Sequence, residues 1–356
     1  MMQTAPQFHC DWITVSQEHG RSCRQLIDVV VTASDNEGVV QWKSERGFVH
    51  EGSHSSKVLI KSNGLGRISL SGNIGRLNRP DNVFGYSLDD CKKLANELLE
   101  NLDLPPFAGG EVVKTHGHRR GPDGTARRMG ATVSRVDICE NFALGSEKNR
   151  SDYLYWLTSQ KLTKSDLSNY GTETVYFGKK SSYVTLKVYD KVIELQRAVR
   201  KLLKKPLEDD VSLWRLEYLQ DLLQFVSERG LVRCEAEFGR KFLHSHGLTG
   251  WDQLSTETIR PYWLEYRGKT MDRTVELSAV ADLPSASRGV YHAYVAGENV
   301  RAGMSKTSFY RHRNIILMLG VDIARPLNVR ALNIKPKVVE VRESVSPQGY
   351  YLPYVS

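Results

Sequence analysis

Apolar and polar residues alternate along several short segments in the first two thirds of the chain, which predicts β-strands. Residues 11–15 form one such segment. Residues 57–61 and 67–71 flank Asn63-Gly64, a dipeptide typical of tight hairpin turns. Further strands are predicted at residues 131–139, 174–177, 183–189 and 231–238. These segments predict one antiparallel sheet, and the two leading strands, which carry Asp11 and Asp137, are compatible with a duplicated β/α half.

Apolar residues at helical spacing predict helices between and after these strands. Ser87 is a suitable N-cap for the first of them. Others are predicted at residues 151–162, 191–207, 213–227, 288–296 and 306–319. The short break between the last two, near Gly303, is compatible with a helix-turn-helix. We therefore predict an α+β fold with helices on one face of the sheet over residues 1–248, a helical, helix-turn-helix-like DNA-binding region over 249–330 and an extended tail over 331–356.

The composition of the 356 residues is that of a globular protein, with 40% hydrophobic and 25% charged residues, and excludes wholesale disorder. The sequence contains no run of the roughly 20 apolar residues that a membrane helix needs. Its beginning lacks the basic and apolar regions of a secretion signal. The five cysteines are scattered, which indicates reduced thiols and a cytoplasmic location.

Net charge is the unusual bulk property, because 49 Lys and Arg residues face 41 Asp and Glu residues, leaving +8. A basic surplus attracts polyanions, above all nucleic acid. Three basic segments stand out: a Gly-rich loop at residues 108–130, the helix from residue 191 and the helix from residue 306. The candidates for DNA contact are Arg119, Arg120, Arg135, Arg197, Arg200, Lys201, Lys306, Arg311 and Arg313. For the last two segments a solvated helix face and ordinary core packing remain alternatives.

Acidic residues lie inside three segments that otherwise predict buried strands or strand ends. Buried carboxylates are costly unless they are paired or bind a metal ion. Carboxylates from several strands of one sheet would form an oxygen-ligand site for Mg²⁺ or Mn²⁺. Buried ion pairs, Arg135 with Glu235 or Arg233 with Asp137, are the alternative, and spacing alone favours them. The candidate metal ligands are Asp137, Glu194, Glu235 and Glu237.

Tyr189 ends an alternating strand and is followed by Lys191. A free phenol has a pKa of roughly 10, so it needs a nearby cation or metal ion to attack near neutral pH. An aromatic residue at a strand end is more often packing. Two histidine pairs, His116 with His118 and His244 with His246, lack a strand context, and we interpret both as solvated. The sequence also lacks a Walker A loop and a Rossmann fingerprint, which argues against an ATP-driven enzyme.

Several short motifs, in order, resemble the replication initiators of filamentous bacteriophages and related plasmids, of the gene II/X type. The matching segments are residues 51–55, 71–73, 81–85, 133–137, 185–195, 231–236 and 305–311. The resemblance extends over about residues 11–325. It implies a fold like that of nicking endonucleases, and a site-specific enzyme that starts rolling-circle replication in the cytoplasm of a bacterial host.

Such enzymes nick one strand of the origin and become linked through a tyrosine to the 5′ phosphate, and later rejoin the displaced strand. The resemblance implies Tyr189 as nucleophile with Lys191 and Glu194 beside it, and Asp137 and Glu235 as ligands of Mg²⁺ or Mn²⁺. It also implies double- and single-stranded origin DNA as partners, with host helicase and polymerase. The alternatives are a non-catalytic regulator that binds the origin or single strands, and a metal-dependent nuclease that uses water. Second-tyrosine candidates are Tyr170, Tyr176 and Tyr183.

Overall fold

A computed structural model describes residues 5–115, 125–159, 167–170, 173–204, 209–271, 275–277, 283–319, 321–324 and 337–355. The strands are β1 (His9–Glu18), β2 (Gln25–Ser34), β3 (Val40–Glu51), β4 (Lys57–Asn63), β5 (Arg67–Gly72), β6 (Val112–Thr115), β7 (Thr125–Arg128), β8 (Thr132–Ala143), β9 (Leu167–Tyr170), β10 (Thr174–Phe177), β11 (Val184–Asp190), β12 (Leu231–Gly239), β13 (Val275–Leu277), β14 (Lys337–Val339) and β15 (Arg342–Glu343). The helices are α1 (Leu88–Glu100), α2 (Glu147–Ser159), α3 (Lys191–Leu203), α4 (Asp210–Arg229), α5 (Arg240–Ser245), α6 (Thr256–Gly268), α7 (Ser285–Val295) and α8 (Lys306–Leu317).

An 11-stranded antiparallel sheet forms the centre of the molecule. Its order is β2-β3-β4-β5-β1-β8-β12-β11-β10-β9, and β15 adds to β8. The predicted hairpin at Asn63-Gly64 joins β4 to β5, and the sheet prediction is confirmed. The register places Tyr189 opposite Arg233, and Glu237 opposite Asp137. Side chains of these residues therefore share one face of the sheet.

One face of the sheet is apolar and carries helices. Val136, Ile138 and Phe142 of β8 point to it and are at most 1% exposed. Burial of each such side chain contributes about 1.5–3 kcal/mol. Trp263 of α6 lies on this side and donates its indole N–H to Glu140, 3.1 Å away. Helix α2 joins it there through Tyr153, whose hydroxyl donates to the carbonyl of Thr270.

The opposite face is polar, and part of it is covered by a loop. Arg233 donates hydrogen bonds to the carbonyls of Asn82 and Val83 from this face. Helix α4 lies behind that loop, because Phe225 packs edge-on against Phe84 at 6.5 Å. The polar face is therefore closed at the end that carries Arg233 and continues as a surface toward Arg135.

The apolar residues form two separate cores. The first includes Ile259 and Trp263 of α6 and continues to Met271, so the predicted domain boundary at residue 248 falls inside it. The second core belongs to α7 and α8 and contains Leu283, Tyr291, Tyr294, Val300, Phe309, Ile316, Val321 and Ile323. This small helical unit agrees with the predicted pair of helices.

Two segments differ from their predicted state. The tail over residues 331–356 returns to the first core, where Tyr350 and Leu352 are buried, and β15 pairs with β8. The Gly-rich segment predicted as a loop begins and ends as a hairpin of β6 and β7. Residues 116–124, with Arg119, Arg120, His116 and His118, lie outside the described residues. None of the helices in the described ranges is long and apolar enough to cross a membrane.

Candidate active site

Tyr189 lies in the wall of a cleft on the polar face of the sheet. The cleft has a volume of about 260 Å³. Tyr189 itself is 7% exposed, so its ring is largely covered while one edge faces the cleft. The other lining residues are Asp11, Asn82, Glu173, Thr174, Lys187, Asp190, Glu194 and Arg197. Predicted catalytic and DNA-binding residues thus meet at one concave place.

The turn from β11 into α3 sets the geometry of this cleft. Asp190 caps α3 by accepting a hydrogen bond from the backbone N–H of Ile193 at 2.9 Å. Arg150 holds the same carboxylate at 2.5 Å. Lys191 and Glu194 therefore start the helix beside Tyr189. The Lys191 ammonium donates to Glu194 at 2.7 Å and to Asn82 at 3.0 Å.

Three cations surround the Tyr189 ring. The Lys187 nitrogen lies 4.1 Å from the ring centre and the Lys191 nitrogen 5.8 Å from it, while Arg233 is its cross-strand neighbour. Burial raises the pKa of Tyr189 well above its usual value, and the positive charge of Arg233 opposes this rise. The phenol is therefore protonated at neutral pH in this state, and deprotonation depends on these cations.

Asp11 is a site residue that our sequence analysis missed. A break in the register of β1 between Cys10 and Trp12 leaves Asp11 unpaired, and it lines the cleft. Asn73 donates to its carboxylate at 2.7 Å, and Arg233 lies 3.7 Å away. The only sequence signal was an aspartate inside a predicted strand, because a bulge cannot be recognised from alternation alone.

Glu235 also belongs to the cleft side of the sheet. Its carboxylate pairs with Lys187 at 3.3 Å. Burial raises the pKa of Glu235, and the nearby charge of Asp11 raises it further, while Lys187 lowers it. By contrast, the pKa of Glu194 is lowered to about 2 despite its burial, because Lys191 and Arg233 stabilise the carboxylate. The two glutamates therefore differ in their ability to accept a proton.

Asp137 and Glu237 form a second acidic group, farther from Tyr189. Arg135 donates two hydrogen bonds to Asp137, at 2.8 and 2.5 Å, and lies 3.0 Å from Glu237. Four residues of β12 separate Arg233, opposite Tyr189, from Glu237, which corresponds to about 13 Å along the strand. Burial raises the pKa of Asp137 to about 7, although the hydrogen bonds from Arg135 lower it.

Ion pairs do form on this face, but with other partners than the predicted ones. In place of Arg135 with Glu235 and Arg233 with Asp137, the described residues pair Arg135 with Asp137 and Arg233 with Asp11. The difference follows from the register, which places Glu235 opposite Cys139. Pairing between adjacent strands could not be known from spacing within each strand.

The four predicted metal ligands do not converge. Among the described residues no group of three or more His, Cys, Asp or Glu side chains is placed to hold a metal ion. Asp137, Glu237 and Glu194 each contact a basic side chain away from one another. Asp11 and Glu235 do fit a divalent ion in their chemistry, since both offer hard oxygens and their mutual repulsion is one cause of the raised pKa of Glu235.

The predicted DNA-binding residues lie in three places. Arg197 lines the cleft and pairs with Glu173 at 2.5 Å, and Arg200 and Lys201 are exposed further along α3. Lys306 and Arg311 are exposed on α8, whose Phe309 and Ile316 pack in the second core. Arg313 is held by Asp322 through two hydrogen bonds of 2.6 and 2.8 Å. Helix α8 thus combines a packing face and a basic face.

The remaining histidine and tyrosine candidates have distinct surroundings. His244 is exposed, and His246 stacks on Phe242 with ring centres 4.1 Å apart. Among the tyrosines, Tyr176 pairs across the strands with Lys187 and so shares the face of Tyr189, whereas Tyr183 lies edge-on against Phe242. The side chain of Tyr170 lies outside the part of the molecule that the structure describes.

The sequence model of a family described as the N-terminal part of the replication-associated protein encoded by gene II of filamentous phages matches residues 10–257. The chain belongs to this family. The replication-associated protein of Escherichia phage If1 is 25% identical over 310 residues, which cover 80% of this chain and 95% of the phage protein. That of Enterobacteria phage I2-2 is 24% identical, with 88% and 89% covered. The predicted resemblance to gene II-type replication proteins is therefore confirmed.

Other similarities are narrower or weaker. The replication-associated protein of Enterobacteria phage fd is 34% identical over 247 residues, which cover 57% of this chain and 60% of the phage protein. A rolling circle replication initiator protein from Geobacillus stearothermophilus resembles the structure with a TM-score of 0.33, at 12% identity, over 78% of this chain and 90% of that one. That TM-score is too low to carry a conclusion about the site of this gene II-type chain.

Proposed function

We propose that this gene II-type replication protein initiates rolling-circle replication by nicking and rejoining one strand of origin DNA, with Tyr189 as the nucleophile. The observation that carries the proposal is the position of Tyr189 in a cleft that it shares with Lys187, Glu194 and Asp11. A phenol surrounded by cations is suited to attack on a phosphodiester, since both the phenolate and the phosphate are stabilised there.

The proposed step exchanges one phosphate ester for another. The phenol oxygen of Tyr189 attacks the scissile phosphorus, forming a bond to the 5′ phosphate, and the bond to the 3′ oxygen breaks. The phenol proton leaves to a carboxylate, and the 3′ oxygen takes up a proton to become a free hydroxyl. Because the number of phosphoester bonds does not change, the reverse reaction can join a strand without ATP.

The residues around Tyr189 have separate tasks in this step. Asp11 and Glu235 are suited to accept the phenol proton, whereas Glu194, whose pKa is about 2, stays charged and fixes Lys191. Lys187 and Lys191 offset the negative charge that grows on the phosphate. Asp11 and Glu235 are also the residues that would hold Mg²⁺ or Mn²⁺, and such an ion would polarise the scissile phosphate.

The wider DNA contacts are part of the same proposal. The exposed basic residues Arg200 and Lys201 follow the cleft along α3, and Lys306 and Arg311 present a basic face on α8. Such residues neutralise phosphates of the origin. The free 3′ hydroxyl would serve a host polymerase, with a host helicase to unwind the duplex.

One observation favours a second function, namely the burial that raises the pKa of Tyr189. A protein that binds the origin without cutting it would tolerate such a tyrosine. Incubation of supercoiled origin DNA with Mg²⁺ or Mn²⁺ separates the two, because the binding protein never produces nicked circles.

The nucleophile is tested by the same reaction run on a denaturing gel. The parent protein should remain on the labelled 5′ end, Tyr189→Phe should lose this adduct, and the exposed control Tyr183→Phe should keep it. Mass spectrometry of the attached peptide should show residue 189. Nicking without any attached protein would instead indicate a nuclease that uses water, and an adduct on another tyrosine would contradict the proposal.

A further inference from the structure

A cluster of basic and aromatic side chains lies outside the Tyr189 cleft. It consists of His54, Arg76, Trp214 and Arg215, which we call the basic aromatic patch. Arg215 donates to the backbone carbonyl of His54 at 3.3 Å, and the His54 ring lies 6.5 Å from that of Trp214. Trp214 is 41% exposed although it is a large apolar side chain. An exposed indole beside several basic groups needs an explanation beyond core packing.

The basic groups of the patch face one another instead of facing acids. Neither Arg76 nor Arg215 forms an ion pair with any residue that the structure describes. The Nε atoms of both arginines are buried without a hydrogen-bond partner. Burial lowers the pKa of Arg215, and the charge of Arg76 lowers it further. Two clustered guanidinium groups with unused donors are the arrangement that binds a phosphate.

The aromatic part of the patch is held rigidly. Trp214 stacks on Tyr218 with ring centres 5.5 Å apart and planes inclined by 19°, and Tyr351 meets it edge-on at 5.5 Å. Tyr218 in turn donates to Asp81 at 2.9 Å. A fixed, half-exposed indole is a suitable platform for an unpaired base, because base stacking then costs little side-chain entropy.

Direct contacts connect the patch to the Tyr189 cleft. The backbone N–H of Arg76 donates to the side chain of Asn73 at 3.0 Å, and Asn73 donates to Asp11, which lines the cleft. A second connection runs from Tyr218 to Asp81, whose neighbour Asn82 also lines the cleft. The patch and the cleft are therefore parts of one continuous surface.

From this geometry we infer that the basic aromatic patch binds the single strand of DNA that leads to Tyr189, with Arg76 and Arg215 on a phosphate and Trp214 stacked on a base. The inference rests on the proposed function, since it names where that enzyme holds its strand. Single-stranded DNA fits better than duplex DNA because stacking on Trp214 requires an unpaired base.

The test measures binding in a protein that cannot form the covalent adduct. The full chain carrying Tyr189→Phe is titrated against a fluorescein-labelled 12-nucleotide single strand, and anisotropy gives Kd at several salt concentrations. Arg76→Gln and Arg215→Gln should each weaken binding about tenfold and reduce the slope of log Kd against log salt by about 0.7. Arg229→Gln is the matched control, because Arg229 is on the same helix as Arg215 but contacts Phe225, and it should stay within twofold.

The stacking part has its own controls. Trp214→Ala should weaken binding about tenfold with an unchanged salt slope, and Trp214→Phe should bind nearly as the parent does. On an abasic single strand Trp214→Ala should have no effect, and an equal loss there would overturn the stacking. Circular dichroism shows that each variant is folded.

Binding within twofold of the parent for both Arg215→Gln and Trp214→Ala would overturn the inference and leave the nicking reaction untouched. Conversely, if Tyr189→Phe still forms the covalent adduct while the patch variants lose binding, the proposed nucleophile fails and the patch stands.

Discussion

The ammonium nitrogen of Lys187 lies 4.1 Å from the centre of the Tyr189 ring, and the same nitrogen pairs with Glu235 at 3.3 Å. Lys187 and Tyr189 are on one strand, two positions apart, so their side chains share a face. This relationship places one cation between the proposed nucleophile and a carboxylate that can take its proton. Lys187 was not among the candidates from the sequence, although alternation placed it beside Tyr189.

Replacing this cation should slow cleavage. In Lys187→Gln the phenolate loses a stabilising charge, so we expect adduct formation to slow by about 10²-fold near neutral pH. Because burial already raises the pKa of Tyr189, the pH at which the rate rises should move further upward. Single-turnover rates at a series of pH values measure both effects.

The exposed Lys148, on α2, provides the control, and Lys148→Gln should behave as the parent does. An unchanged rate and pH profile in Lys187→Gln would show that this lysine has no part in activating Tyr189.

Metal binding should distinguish the two acidic groups of the sheet. Asp11 and Glu235 lie with Tyr189, whereas Asp137 is held by Arg135 farther along the strands. We expect Asp11→Asn and Glu235→Gln each to weaken Mn²⁺ binding at least tenfold, and Asp137→Asn to change it less than threefold. Electron paramagnetic resonance of free Mn²⁺ measures this without DNA. The opposite order would place the ion with Asp137, as the sequence alone predicted.

Alternation predicted the central strands well because they have one apolar and one polar face, as β8 and β12 do. It failed for β2 and β3, where Val29, Val30 and Trp42 are all about half exposed. Those strands extend as an arm with solvent on both faces, so no alternation is imposed on them.

The candidate site was predicted in its residue types better than in its pairings. Tyr189, Lys191 and Glu194 follow one another along the chain, and a strand followed by a helix brings them together in a way that local spacing can indicate. Asp11 and the partners of Arg135 depend on a bulge and on the register between β1, β8 and β12. Those are properties of the assembled sheet, so no local pattern contained them.

Glu140 makes stability depend on pH from the apolar side of the sheet. Burial raises its pKa to about 6, although Arg267 and Trp263 lower it. Since the folded pKa is above the usual 4.5, the stability from this group is fully present below about pH 4.5 and is lost as the pH rises through about 6. The loss amounts to about 2 kcal/mol.

Glu140→Gln should remove this dependence. Urea unfolding at pH 4.5 and 7 should show the parent losing about 2 kcal/mol more than the variant over that range. The exposed control Glu100→Gln should follow the parent. Parallel curves for parent and Glu140→Gln would mean that the carboxylate has an ordinary pKa in the folded protein.

The returning tail should be essential to the stability of the first core. The Tyr350 hydroxyl donates to Asp81 at 2.5 Å and accepts from Arg79 at 2.8 Å and from the backbone N–H of Phe84 at 2.9 Å. Tyr350→Phe leaves these buried groups without a partner, so we expect a loss of about 2–3 kcal/mol of unfolding free energy. Tyr354→Phe is the matched control, because Tyr354 is 66% exposed, and it should unfold as the parent does. Equal unfolding midpoints for both variants would contradict a structural role of the tail, and since the same loop carries Asn82 into the cleft, Tyr350→Phe should also reduce the nicking rate.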